Sequence, residues 1–316
     1  MKLLRLIEIE AARLAESGVS FGHGTTNAVD EAVWLGLWSL GLPLDDLDRV
    51  GSRDLTDSEI QSIRALVDRR IHQRVPAAYL TREAWLQGVP FYVDERTIVP
   101  RSMIAENLAD GDLDSLLGRT PSQVLDLCTG NASLAVLCAL AWPLAKVDGA
   151  DLSSQALEVA AINRHRHGLE QRIDLLQGDG LQAVAGRRYD LIVCNPPYVN
   201  AESMARLPAE FRAEPAIALA GGLDGMDFIS ALLRHAGSHL ASGGWLVLEI
   251  GHERATFEAR FAGPRGLEPI WLENSSGCDA VLALTAANLC AWSGLEPPGG
   301  PAKQAEHLDH SGHSDR

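Results

Sequence analysis

The run Asn195-Pro196-Pro197-Tyr198 gathers residue types suited to one chemical problem. Asn195 offers a side-chain carbonyl as a hydrogen-bond acceptor. The carbonyl of Pro196 has no obligatory partner inside the loop. The two prolines stiffen that loop, because each fixes its own φ and neither donates an N–H. Two fixed acceptors can take both hydrogens of an –NH2 group. An amide nitrogen is a poor nucleophile, since its lone pair is delocalised into its carbonyl. Holding its hydrogens aims the lone pair at an electrophilic carbon such as a methyl sulfonium, and preorganised dipoles stabilise the positive charge that develops on nitrogen. Tyr198 adds a ring that can stack on a planar substrate. The plain alternative is a rigid surface turn after a strand. The segments upstream count against it.

Those segments are strands that end in polar residues. Residues 190–194 are an apolar strand that the prolines terminate. Residues 124–128 form another, which holds Asp126 and Cys128 and runs into Thr129-Gly130-Asn131-Ala132 and an apolar helix. Gly130 allows the tight turn that brings backbone close to a ligand. Residues 146–150 lead to Asp151 and Leu152, with a helix predicted over 154–167. An acidic residue at that strand end can hold ribose hydroxyls. Residues 173–176 lead to Gly178-Asp179-Gly180, whose carboxylate can accept from the exocyclic amine of adenine. Each piece alone reads equally as an ordinary turn or helix start, and a nicotinamide cofactor would use the same geometry. Together they outline a nucleoside-shaped site. Further strands are expected over 245–250, 270–272 and 280–284. Strands alternating with helices predict an α/β fold with a parallel, Rossmann-like sheet covered on both faces.

Upstream, residues 1–84 read as a small helical domain. Asn27 can cap a helix carrying Trp34 and Leu37, and Thr56-Asp57-Ser58-Glu59 is a capping-box pattern before a third helix. Residues 85–121 read as a β-hairpin and linker, 122–290 as the sheet domain, and 291–316 as a disordered tail rich in Pro, Gly, His and Asp.

The 316-residue chain is 46% hydrophobic, enough for a sizeable core. No stretch has the length of a membrane span, and the N-terminus lacks the pattern of a signal peptide. The five cysteines, widely spaced and without a C-x-x-C pair, suit reduced thiols in the cytoplasm and no structural zinc. A formal net charge of -15 disfavours nucleic acid and suits a basic protein partner.

These residues resemble the class I methyltransferases with an N-P-P-Y motif, and within them the protein-glutamine methyltransferases. The similarity runs from about Phe21 to Leu284. The stretches "FGHGTTNAVDEAVWL", "RVPAAYLTREAWLQGVPFYVDERTIVPRS", "DLCTG" and "NPPYVNAESMARLPAEFRAEPAIALAGGLDGMD" favour the branch acting on large-subunit ribosomal protein three. The sister branch acts on peptide release factors and more often has glycine at the position of Cys128 and proline at that of Ser102. The resemblance implies S-adenosylmethionine as cofactor and no metal. It implies cofactor contacts at Asp126, Cys128, Thr129, Gly130, Asp151, Leu152, Asp179, Gly180 and Asn195. Asn195 to Tyr198 would hold the glutamine side chain, and the helical N-terminal domain would recognise the ribosomal protein. Ala132 and Asn131 depart from the family's glycine loop, and the Ala132 methyl is expected to crowd the cofactor or the helix packing.

Three other readings remain at this level: adenine methylation in nucleic acid, a non-catalytic ribosome-assembly binder, and, more remotely, a nicotinamide dehydrogenase. Gly22-His23-Gly24-Thr25 reads as a structural turn, and His307, His310 and His313 as solvated tail residues. Arg101 either bridges the linker or contacts substrate, and Glu214 either shapes a lid or is a buried structural carboxylate.

Overall fold

Alternation of apolar strands with helices produces the expected sheet. The computed structural model describes residues 1–262, 266–275, 277 and 279–294. The strands in these residues are β1 (Ala84–Leu86), β2 (Val89–Phe91), β3 (Gln123–Leu127), β4 (Lys146–Asp151), β5 (Ile173–Gln177), β6 (Tyr189–Cys194), β7 (Leu240–Glu249), β8 (Ile270–Leu272) and β9 (Val281–Thr285). Seven of them make one sheet in the order β5-β4-β3-β6-β7-β9-β8. The first five neighbours are parallel, while β9 and β8 add antiparallel. The winding direction reverses at β3, and in such sheets ligands bind beyond the carboxyl ends at that switch point. The register pairs Leu127 with both Ala150 and Cys194, so β3, β4 and β6 end level. Cys128, Asp151 and Asn195 therefore emerge along one edge.

Side chains alternate across the sheet, as strand geometry requires. Val124, Val147, Leu191 and Val193 join one buried cluster with the helix Ser133–Ala141. Leu125, Leu127, Ile192 and Leu246 join another with the helix Asp227–His239. A third cluster belongs to the helices Leu3–Glu16, Ala28–Ser39 and Asp57–His72, and extends to Val93 and Val99. Asn27 accepts from the Asp30 amide, and both halves of the Thr56/Glu59 capping box are formed. β1 and β2 pair antiparallel through Gln87-Gly88, both at positive φ, as a two-residue hairpin turn demands.

The structure departs from the sequence expectations in several elements. β7 begins at Leu240, five residues before the predicted strand start at 245. Ala241-Ser242-Gly243-Gly244 hides that start, and the pairing of β6 with β7 slips between Tyr189 and Leu191. The stretch read as linker contains the helices Ile104–Ala109 and Asp112–Leu117, and a helix Ala286–Ser293 follows β9. The three tail histidines and Cys278 lie outside the described residues. No described helix is long and apolar enough to cross a membrane.

Candidate active site

A cleft opens over the ends of β3, β4 and β6. It brings together Cys128, Gly130, Asp151, Leu152, Asp179, Gly180, Asn195 and Pro197. Asp126 and Thr129 are not on its wall. They lie beneath the loop, both buried, where the Asp126 carboxylate accepts from the Thr129 hydroxyl at 2.5 Å and the Ala135 amide at 2.9 Å. That ties the loop to the start of the next helix. Burial pushes the Asp126 carboxyl up to about 7, against the opposing pull of those two hydrogen bonds.

The loop itself has an alternating backbone. Cys128, Gly130 and Ala132 have φ of 61, 56 and 64°, a region where residues with a Cβ are strained by about 1–2 kcal/mol. Only one of the three is glycine. Ala132 is fully buried in the core beside Leu134 and Val136, and its methyl is not on the cleft wall. Of the two expected alternatives, cofactor or helix packing, the methyl falls on the side of the helix packing, and the departure from glycine adds backbone strain. Asp151 spans the site by accepting from the Gly130 amide through Oδ2 at 2.9 Å and from the Ser153 amide through Oδ1 at 2.9 Å. Burial raises its carboxyl above the ordinary range, and the backbone N–H groups oppose the rise.

A second cavity adjoins the cleft and shares Ile98, Asn195 and Ala218 with it. Arg101, Pro196, Tyr198 and Phe211 complete its principal wall. Asn195 therefore stands where the two cavities meet. No hydrogen bond to another described residue engages its side chain or the Pro196 carbonyl. Tyr198 is wedged over Gly251, where any Cβ would come within 2.5 Å of its ring. Its hydroxyl donates to Glu249 Oε1 at 3.3 Å, and Glu249 Oε2 also accepts from the Ser102 hydroxyl at 2.5 Å and the Met103 amide at 2.9 Å. Burial and the neighbouring Glu249 raise the Tyr198 phenol, so it stays protonated.

Arg101 forms a two-pronged pair with Glu214, at 2.6 and 2.7 Å. Glu214 also accepts from the Val99 amide at 2.9 Å, and the His23 ring nitrogen lies 3.5 Å away. Burial alone would raise the Glu214 carboxyl, but His23 and Arg101 together hold it at about 2. Of the two roles the sequence left open, the ion pair is formed, and Arg101 also lines the cavity beside Asn195. Phe211 was missed. It touches His23 at 4.2 Å between ring centroids and lies 5.4 Å from the Arg101 guanidinium carbon. One residue away, Glu210 accepts from Arg70, a fully buried arginine of the N-terminal helices that also pairs with Glu31. The N-terminal helices are fastened in this way to the wall of the second cavity.

This chain is similar to known proteins along nearly its whole length. The family model described as Methyltransferase small domain matches residues 112–222. A Bordetella pertussis protein named ribosomal protein uL3 glutamine methyltransferase is 50% identical over 287 residues, covering 90% of this chain and 95% of that one. Proteins of the same name from Burkholderia pseudomallei and Neisseria gonorrhoeae are 48% and 44% identical, covering 92% and 90% of this chain and 96% and 94% of theirs. The chain belongs to the ribosomal protein uL3 glutamine methyltransferase family. Membership in that family makes it a methyltransferase, and the dehydrogenase alternative falls away. Among its described residues there is no cluster of three side chains that could hold a metal ion.

Proposed function

We propose that this chain transfers the methyl group of S-adenosylmethionine to the side-chain amide nitrogen of a glutamine in ribosomal protein uL3. The observation that carries this reading is the position of Asn195, with an unengaged acceptor, at the junction of the two cavities. The cleft over the strand ends is assigned to the cofactor. Asp151 and Asp179 offer carboxylates for ribose and adenine donors, and the buried Thr97 hydroxyl on the same wall has no partner among the described residues. When bound there, S-adenosylmethionine supplies the electrophilic methyl group.

The chain's own residues do the rest. Asn195 Oδ1 and the Pro196 carbonyl take the two amide hydrogens and turn the nitrogen lone pair toward the cleft. Tyr198, held by Glu249, forms the side of the slot. A protonated amide is a strong acid, so the surplus proton passes to water without a dedicated base. The net charge of -15 complements a basic ribosomal protein and counts against adenine in nucleic acid. We assign recognition of that protein to residues 1–84 and place the reaction in the cytoplasm. Asn195→Ala is expected to lower kcat by about 10²–10³-fold while leaving S-adenosylhomocysteine binding in place. Near-wild-type turnover in that variant removes the mechanism.

A further inference from the structure

We propose that Arg101 donates to the carbonyl oxygen of the acceptor amide and so makes the second cavity specific for a carboxamide. This rests on the methyl-transfer function proposed above. A primary amide entering the cavity has two needs. Its –NH2 requires acceptors, which Asn195 and Pro196 supply. Its carbonyl oxygen requires a donor, because an unpaired buried carbonyl costs free energy.

Among the described residues, Arg101 is the only charged side chain on that wall. The Tyr198 hydroxyl is already engaged by Glu249. A guanidinium has five N–H donors. Nη1 uses its two on the Val99 carbonyl and Glu214 Oε1, and Nη2 uses one on Glu214 Oε2. The Nε–H and the second Nη2–H have no partner among the described residues. By the covalent geometry of the group, these two lie side by side along one edge of its plane. Such an edge offers two parallel donors to a single oxygen. The rest of the group is fixed: Glu214 is buried and clamped by the Val99 amide, and Phe211 packs beside the guanidinium. A preorganised donor of this kind rejects an analogue that lacks the matching acceptor. An amine would leave Arg101 without an oxygen, and a carboxylate would set a negative oxygen against Asn195 and Pro196.

The test compares binding of two forms of uL3 in the presence of S-adenosylhomocysteine. One carries the native glutamine at the methylated position, located by mass spectrometry after turnover with the wild-type enzyme. The other carries leucine there. Calorimetry is run with wild type, Arg101→Lys, and the double variant Arg101→Met/Glu214→Gln, which leaves no buried unpaired carboxylate. The glutamine form is expected to lose roughly ten- to hundredfold in affinity in both variants, with the leucine form changed less than about twofold. Equal losses for the two forms would mean that Arg101 only supports the wall, and no loss for either would mean that it does not touch the substrate; both overturn the proposal. A wild-type enzyme that neither binds nor methylates uL3 overturns the functional reading first, and the inference with it.

Discussion

Replacing Arg70 with methionine should be among the most damaging single changes in the N-terminal helices. The guanidinium is 1% exposed and donates to Glu31 at 2.7 Å, to Glu210 at 3.0 Å and to the Ser20 carbonyl at 2.6 Å. Methionine fills much of the volume but leaves all three acceptors without that donor. Glu210 keeps Arg74 at 3.3 Å, whereas Glu31 keeps the Thr25 hydroxyl at 3.0 Å and the nearby His23 ring. Breaking a buried ion pair from one side costs about 3–5 kcal/mol, a large part of the roughly 5–15 kcal/mol that holds a typical domain together. The loss should depend on pH. Burial already raises the Glu31 carboxyl, with Arg70 opposing the rise, so removing Arg70 raises it further. A carboxyl whose folded pKa exceeds its unfolded value stabilises at low pH and loses that contribution as pH climbs through the folded value. The deficit of Arg70→Met is therefore smaller near pH 5 than near pH 8. Urea denaturation followed by tryptophan fluorescence at both pH values measures it, and Arg70→Met/Glu31→Leu should recover part. A deficit below about 1 kcal/mol, equal at both pH values, would refute the reasoning.

Three further changes probe the cofactor side. Asp151→Ala removes the carboxylate that spans the β3 and β4 ends; S-adenosylhomocysteine affinity by calorimetry should fall at least about tenfold, and an unchanged affinity removes Asp151 from the site. Ala132→Gly relieves about 1–2 kcal/mol of backbone strain but gives up a buried methyl worth about 0.8 kcal/mol and adds unfolded-state entropy. Stability should therefore stay within about 1 kcal/mol, with cofactor affinity within twofold; a large gain in affinity would restore the crowding argument. Asp126, raised from 3.8 to about 7, contributes stability below pH 4 that is lost as pH rises to 7, on the order of 4 kcal/mol. In Asp126→Asn the fall in stability over that window should be shallower than in wild type, and an unchanged slope would mean that Asp126 is ionised in the fold.

Whatever depended on local pattern was legible in the sequence. Asn27 and Thr56 cap helices because a cap needs only residues three positions apart. Gly130, Asp151 and Asn195 meet at one edge as the parallel-sheet rule requires, since each lies at or just beyond the carboxyl end of a strand of one sheet. The start of β7 was not legible, because Gly243-Gly244 reads as a turn until β6 is present to pair with Leu240. The second cavity was only half legible. Asn195 to Tyr198 announced themselves, but Phe211 carries no signal of its own, and Arg70 finds Glu210 across 140 residues of chain. Glu214 and Arg101 each looked ambiguous alone, and nothing in their spacing, 113 residues apart, announced the 2.6 Å contact between them. For Ala132 the sequence left cofactor and helix packing as alternatives, because a loop sequence does not tell on which side a methyl falls; the structure puts it in the core.

The most direct test of the central claim is methyl transfer from labelled S-adenosylmethionine to purified ribosomal protein uL3 and to a peptide release factor, offered separately, with Asn195→Ala alongside wild type. Label on a glutamine of uL3 alone, lost in Asn195→Ala, is the predicted result. Label on the release factor alone, or label on uL3 that persists undiminished in Asn195→Ala, would contradict it.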